Sequence, residues 1–465
     1  MALGGILAEL AEEEKLHIHF FGQYYSCELL GRCDKDSLQE VLRRWMFDES
    51  SRQAFAAESS APAVWPPLRE AVAAEPELLK ANAWICTGIW PLCWMLQMIS
   101  QQPVLHYMVN WLVGEHTPPV WHLPLIAEAA RVGAESIREG KHHFCTTAWL
   151  RLSIDVSHLI GLKVPHAATL GWHTTLHAGP GLRWAWKPSA PARAAVPRNV
   201  LTRRIQGQLF SAMFGHFNRL PWVKDAEIPV QVDVWQGGLD SINRGAGDPW
   251  KGQVQGKIWW SDAVEYMAAI YLAGDITLLT FSELYALKVP TLVPHTDWQA
   301  RIMSDMCRTG IGWFHLHSPL YQITEGEMNF AYPLWGCELN QIRYWLQTGD
   351  AWRYPHVQHF RSFVELYQKL LSWAADPSTL DRLSTAMEKF HVQLARRTLD
   401  YFRQLVLAKL PMLRLTPEDP GSITDRIISA RRVSATHTLR RTLRLRVSTR
   451  RFAGGARTLT QMRSE

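Results

Sequence analysis

The chain has 465 residues, of which 47% are hydrophobic and 20% are charged, so it is neither a disordered nor a fibrous protein. Its formal net charge is +6, but residues 421–465 hold eleven arginines against two carboxylates and carry +9, which leaves −3 for the remainder. A basic tail of this kind can bind an acidic partner or an anionic surface, and it can equally remain a solvated tail. Seven cysteines without CxxC spacing argue against a zinc ribbon or a disulfide framework.

The N-terminal residues do not resemble a secretory signal peptide, because they lack a basic start and soon reach three consecutive glutamates. Residues 81–100 are apolar enough to suggest a membrane span, but Pro91 interrupts them, and we expect a strand, a turn and a buried helix instead. Together with the odd cysteine count, these features predict a soluble cytoplasmic protein without a transmembrane span.

Residues 1–177 alternate short apolar runs with helical stretches, which is typical of an α/β domain with a parallel sheet. The predicted strands lie at 16–21, 83–87, 103–109 and 142–148, and the predicted helices at 91–99 and 123–140. Residues 178–197 are rich in Pro, Ala and Gly and show no helix or strand period, so they predict an interdomain linker.

A second α/β domain is predicted over residues 198–395, followed by a C-terminal helix over 396–420 and the tail. Its first strand-like run is 198–202, and Ser261 or Asp262 is a good N-cap for a later helix. The stretch GDITLLTFSELYALKVPTLVP, residues 274–294, then follows a short buried strand at 268–273. Its apolar spacing predicts a helix over 277–288 and another strand over 289–294.

Glu283 lies inside that crossover helix. In open parallel sheets, ligands bind beyond the carboxyl ends of the strands, so this carboxylate could accept hydrogen bonds from both hydroxyls of a ribose. The alternative is an exposed glutamate on an amphipathic helix, where it needs no ligand. The helical spacing alone leaves both interpretations open.

The order of motifs resembles that of nucleotide-sugar glycosyltransferases with the GT-B fold. Asp275 precedes Glu283 by seven intervening residues, and Pro290 stands at the seventh place after Glu283, as in that family. Residues 354–390 are similar to the family's closing strand and helices, and residues 80–175 show a looser similarity to its first domain. Lys288 replaces the usual glycine before the proline, and Asp275 replaces the usual glutamate.

This resemblance implies two Rossmann-like domains facing each other across a cleft, and metal-independent transfer of a hexosyl-type sugar from a nucleotide-diphosphate sugar, with no further cofactor. The acceptor would be an unknown glycan, protein or small molecule. The implied donor-binding residues are Glu283 at the ribose, with Arg203, Arg204, Lys257 and Thr277 toward the pyrophosphate. Asp275 would lie near the sugar or cap the following helix. The histidine that members of this family often carry would fall near Val109 or Asn110, so His106, three or four places earlier, is the candidate base, with Gly22 and His173 on the acceptor side.

Each basic residue and histidine in this set could instead have a structural or surface role. Two other functions also remain open at this point. The chain could be a catalytically inactive binding or scaffold protein that keeps the fold. It could also be a metal-dependent barrel hydrolase, since His17 and His19 would share one face of a strand.

Overall fold

The structure is a computed structural model that describes parts of both predicted domains. The described residues are 66–74, 83–86, 96–97, 99–100, 102–108, 135, 143–147, 149–150, 152–154, 157, 163–168, 181–197, 205–234, 260–273, 279–308 and 338–409. The predicted strands at 16–21 and 198–202 and the tail at 421–465 lie outside these ranges. Residues 396–409 of the predicted C-terminal helix are described.

The first sheet contains three parallel strands in the order β1-β2-β3. They are β1 (Trp84–Cys86), β2 (Val104–Met108) and β3 (His143–Thr147), so these three strand predictions are confirmed. The central strand is buried from Val104 to Tyr107, as expected for a parallel strand covered on both faces. Helical residues at 96–97 and 99–100 agree with the predicted helix between β1 and β2.

Cys86 at the end of β1 is disulfide-bonded. The scattered cysteine spacing did not predict this bond. Disulfides persist mainly in oxidising compartments, so the cysteines do not support the cytoplasmic location, which stays a prediction.

The second sheet contains five parallel strands in the order β5-β4-β6-β7-β8. These strands are β4 (Ala192–Val196), β5 (Val230–Val234), β6 (Ala268–Ile270), β7 (Thr291–Pro294) and β8 (Gln358–Phe360). The strands predicted near 268–273 and 289–294, and the closing strand, are confirmed. The α/β class with parallel sheets is therefore confirmed in both halves of the chain.

Helices connect and cover these strands. Their bounds are α1 (Pro66–Ala73), α2 (Ile205–Phe217), α3 (Pro221–Lys224), α4 (Trp260–Ala263), α5 (Leu279–Ala286), α6 (Thr296–Arg308), α7 (Leu339–Leu346), α8 (Asp350–Arg353), α9 (Phe363–Ala375) and α10 (Pro377–Lys409). The predicted crossover helix at 277–288 is confirmed as α5.

The five-stranded sheet has an apolar core on each face. In and beside β6, Ala268, Ile270 and Leu272 belong to one core with aromatic residues of α2 and α9. Ala269, Tyr271 and Ala273 alternate with them and join α5 and α10 in the other core. This period of two, buried on both sides, is characteristic of an inner strand of a parallel sheet.

The predicted linker at 178–197 contains a strand, so the expectation that it lacks regular structure is wrong at Ala192–Val196. β4 lies between β5 and β6, and the alanines at 192, 194 and 195 are buried. Small residues there allow helices to pack closely on the sheet. In the sequence, however, they show no alternation of apolar and polar residues, and the neighbouring prolines suggest a loop. The division of the chain into domains stays a prediction.

Two helix boundaries also differ from those predicted. α4 begins at Trp260, so Ser261 and Asp262 lie within its first turn and neither is its N-cap. α10 continues from Pro377 to Lys409, so there is no break at residue 395 between a domain and a separate C-terminal helix. No glycine or proline occurs inside α10 after its first residue, which explains why it continues.

α10 connects the two sheets. Its residues Met387 and Phe390 pack in the core beside α5, whereas Phe402 packs edge-on against Tyr107 of β2 with ring centroids 5.5 Å apart. Of the helices that the structure describes, none combines the length and apolar character needed to cross a bilayer.

Candidate functional site

The strand order of the second sheet identifies where a ligand would bind. β4 and β6 are neighbours, but the next strand after β4 lies on one side of this pair and the next strand after β6 lies on the other. The connections therefore leave the carboxyl ends of β4 and β6 in opposite directions, and they open a crevice at this switch point. This is the binding edge of doubly wound sheets, irrespective of any family resemblance.

Four of the predicted site residues occur in the two segments that follow these strands. Arg203 and Arg204 fall between β4 and α2, and Asp275 and Thr277 fall between β6 and α5. The segments themselves lie outside the described residues, so the four side chains are not placed. Only the strand ends and helix starts that flank them are described.

Glu283 is 2% exposed, so the interpretation of it as an exposed surface glutamate is wrong. All described side chains of α5 are buried, including the polar residues Thr280 and Ser282 near Glu283 in the sequence. A carboxylate removed from water requires compensating donors or a ligand that supplies them. Glu283 therefore belongs to a buried polar group in the helix that follows β6, which is one of the two strands at the switch point.

α5 ends in a Schellman motif that has lysine where the resembling family has glycine. The Lys288 amide donates to the Tyr285 carbonyl at 3.0 Å, and the Val289 amide donates to the Leu284 carbonyl at 3.2 Å. Lys288 takes the left-handed conformation that the motif requires, with φ of 61°. The substitution thus preserves the backbone that turns the chain into Pro290 and β7.

The environment of Lys288 also affects its charge. Burial lowers its pKa and nearby Arg183 lowers it further, whereas Glu388 of α10 opposes both effects. The side chain is therefore partly withdrawn from water, within electrostatic reach of Glu388.

Gln299 in α6 is a candidate residue that the sequence analysis missed. It is fully buried, and its Nε2 atom donates to the carbonyl of Ala273 at 2.7 Å. Ala273 is the last described residue after β6, so this bond lies at the switch point. One feature of the sequence could have identified Gln299: it is a polar residue next to Ala300 and one turn before Met303, and these two apolar residues mark the buried face of the helix.

A second polar group lies at the carboxyl ends of β7 and β8. His295 Nδ1 is 3.4 Å from Asp297 Oδ2, and Arg343 Nε is 2.7 Å from Asp297 Oδ1. Burial lowers the pKa of His359 in β8, as do His295 and Lys369, while the Pro294 carbonyl opposes the shift. Arg343 is paired with Asp297, so its charge is offset for binding a phosphate.

The first-domain candidates are largely outside the described residues, including Gly22 and His173, as is Lys257 of the second domain. His106 is described, and its side chain is 0% exposed in the middle of β2. A general base must lie within hydrogen-bonding reach of its substrate, and a buried side chain meets this condition only where the substrate can reach it. The role of His106 as a base stays a prediction.

The metal-dependent hydrolase alternative is wrong on architecture. It requires one barrel of about eight strand–helix units, whereas the described strands form separate parallel sheets of three and five strands. His17 and His19 lie outside the described residues. Within the described ranges, no group of three His, Cys, Asp or Glu side chains could hold a metal ion.

One buried acid lies apart from the switch point. Asp350 at the start of α8 is 3% exposed, and its Oδ1 atom is 3.3 Å from Arg353 Nη1. Burial raises its pKa to about 7, although Arg353 and a hydrogen bond with Tyr354 act in the opposite direction. Its charge also raises the pKa of Tyr107 in β2, secondarily to burial, so Asp350 lies near the first sheet.

No protein-family model and no curated protein matches this chain. It is similar to the solved structure of the glycotransferase of kitacinnamycin, with 14% identity, a TM-score of 0.36, and coverage of 80% of this chain and 85% of that chain. It is also similar to spinosyn forosaminyltransferase SpnP, with 10% identity, a TM-score of 0.38, and coverage of 87% and 94%. Neither likeness carries an activity over to this chain.

Proposed function

We propose that the chain is a glycosyltransferase that transfers a sugar from a nucleotide-diphosphate sugar to an acceptor. The observation that carries this proposal is the burial of Glu283 in the helix that follows β6, one of the two strands that form the switch point. A buried carboxylate at this edge suits a ligand with two adjacent hydroxyl donors, and a ribose is such a ligand. The resemblance of the motif order to GT-B glycosyltransferases adds the reaction class.

In this proposal, the donor nucleotide binds against the second domain. The Glu283 carboxylate accepts the two ribose hydroxyl protons in hydrogen bonds. Arg203, Arg204 and Lys257 offset the charge of the pyrophosphate, and Thr277 donates to it near the start of α5. The nucleoside diphosphate is the leaving group, so positive charge at its pyrophosphate stabilises the transition state without a metal ion.

Asp275 then lies beside the sugar, where a carboxylate can contact hydroxyls or stabilise the positive charge that develops at the anomeric carbon. The acceptor approaches from the first domain, with Gly22 and His173 lining its path. His106 would accept the acceptor proton, a role that requires the buried middle of β2 to open to the acceptor. The binding experiment below identifies the donor base.

The test is a thermal-shift titration with ADP, CDP, GDP, UDP and dTDP and with their glucose conjugates. A ligand that binds only the folded state adds RT ln(1 + [L]/Kd), about 2.7 kcal/mol at a hundredfold excess over Kd. We expect one base to stabilise the wild type. Glu283→Gln should weaken that binding by roughly 10- to 100-fold, because a charge-assisted hydrogen bond contributes about 1.5–3 kcal/mol.

Glu227→Gln is the matched control, since Glu227 is exposed between α3 and β5. It should bind the nucleotide like wild type. A wild type that no nucleotide stabilises would refute the proposal. Nucleotide binding without release of nucleoside diphosphate, with water or a panel of sugar acceptors, would favour the inactive binding protein.

A further inference from the structure

Two carbonyl groups at the carboxyl edge of the second sheet accept hydrogen bonds from side chains of helices. Gln299 Nε2 donates to Ala273 O at 2.7 Å, and Trp352 Nε1 donates to Pro294 O at 3.1 Å. Carbonyl groups at strand ends need such partners when they are buried. The two bonds differ in location: Ala273 follows β6 at the switch point, whereas Pro294 ends β7, one strand further away.

The Gln299 bond ties β6 to a helix that is itself held in place. The Gln299 side chain is fully buried. Its neighbours Ala300 and Met303 pack in a separate apolar core with Trp345 of α7. Loss of the amide donor would leave the Ala273 carbonyl desolvated without that partner, so the end of β6 would shift or open to recover a bond.

We propose that Gln299 is a positioning residue for the donor site, fixing the carboxyl end of β6 against α6. This inference rests on the proposed function. It assigns Gln299 an effect on the reaction that is separate from nucleotide affinity, because Gln299 bonds the chain after β6, whereas Glu283 lies in α5. Small displacements of groups near a reacting centre can slow the chemical step strongly, while the enzyme still binds the parts of the substrate that lie far from that centre.

The experiment compares Gln299→Met with Trp352→Phe. Methionine has a similar length without the amide donor, and phenylalanine removes the indole donor from the neighbouring strand end. Hydrogen exchange of residues 268–273 should become roughly tenfold faster in Gln299→Met, as expected for the loss of one buried hydrogen bond, and remain unchanged in Trp352→Phe. Faster exchange at this segment in both variants, or in neither, would overturn the positioning role.

The second measurement uses the nucleotide that most stabilises the wild type and its glucose conjugate. Gln299→Met should keep the wild-type Kd for the nucleoside diphosphate, while kcat for its release from the conjugate falls roughly tenfold, with little change in KM. Trp352→Phe should change neither constant. An unchanged kcat in Gln299→Met would refute the inference but leave the proposed function standing.

Gln299→Glu provides a conservative variant. Its carboxyl group can donate to Ala273 only when protonated, so its kcat relative to wild type should recover as pH falls from about 8 to about 6. A constant ratio across this range would contradict the role of the donated hydrogen bond. If the wild type binds none of the nucleotides, the proposed function fails, and the inference about a donor site fails with it.

Discussion

Neutralising Asp350 should remove a pH dependence of stability that the wild type carries. The acid is buried at the start of α8, and its nearest charged partner is Arg353 at 3.3 Å. Burial is the main cause that raises its pKa to about 7 from the ordinary value of 3.8. Asp350→Asn keeps the shape of the side chain and one oxygen that can accept from Arg353, but it cannot ionise.

The sign follows from proton uptake. Because the folded-state pKa lies above the unfolded-state pKa, the folded state binds the proton more tightly, and this stabilisation is fully present below about pH 3.8. It is lost as pH rises through about 7. At 1.36 kcal/mol per pKa unit, the proton contributes at most about 4 kcal/mol to the free energy of unfolding. Roughly 2.5 kcal/mol of this contribution is lost between about pH 5 and pH 8.

The assay is urea unfolding followed by tryptophan fluorescence, for both proteins, at pH 5, 6, 7 and 8. The free energy of unfolding of the wild type minus that of Asp350→Asn should fall by about 2.5 kcal/mol across the series. Histidines titrate in the same window in both proteins, so their contribution cancels in the difference. A difference that stays constant, or that rises with pH, would refute the assignment of Asp350 as a buried acid with a raised pKa.

Substitutions at three further positions test a turn, a core contact and a helix cap. Lys288→Gly should stabilise the protein by about 1 kcal/mol in thermal unfolding, because glycine takes the left-handed conformation without strain, whereas Lys288→Ala should not. Phe402→Ala should lower the free energy of unfolding by about 3–5 kcal/mol and speed hydrogen exchange in β2, because Phe402 is buried against Tyr107. Faster exchange in the second sheet alone would contradict this contact. Ser362→Ala should lower the free energy of unfolding in urea by about 1 kcal/mol, because the Ser362 side chain accepts a hydrogen bond from the Glu365 amide at the start of α9. An unchanged free energy of unfolding would argue against this cap.

Strands with a strong apolar pattern were predictable from the sequence, and those with small residues were not. β2 and β7 consist of bulky or β-branched residues bounded by turn signals, so a local pattern was sufficient. β4 reads ARAAV beside prolines, and only its neighbours in the sheet make it a strand. β5 has the alternation VQVDV, a period of two that is typical of a strand and is visible in the sequence alone.

The position of Glu283 was predictable, but its burial was not. A helical period separates buried from exposed positions only when one face of the helix meets water. α5 has its described side chains buried on all sides, so its period carries no such information. Gln299 was missed for a related reason: its role depends on a carbonyl 26 residues earlier in the chain, and no local pattern encodes that contact.

The departures from the family motif bear on chemistry more than on architecture. Lys288 replaces a glycine, yet it keeps the left-handed turn, the two Schellman hydrogen bonds and the passage into Pro290. The helix containing Glu283 is therefore held in the same relation to β6 and β7 that glycine would allow, at a strain of about 1 kcal/mol. Since the backbone is preserved where the side chain differs, a failure of nucleotide binding would have to be explained by the residues that face the ligand, and not by a distorted crossover.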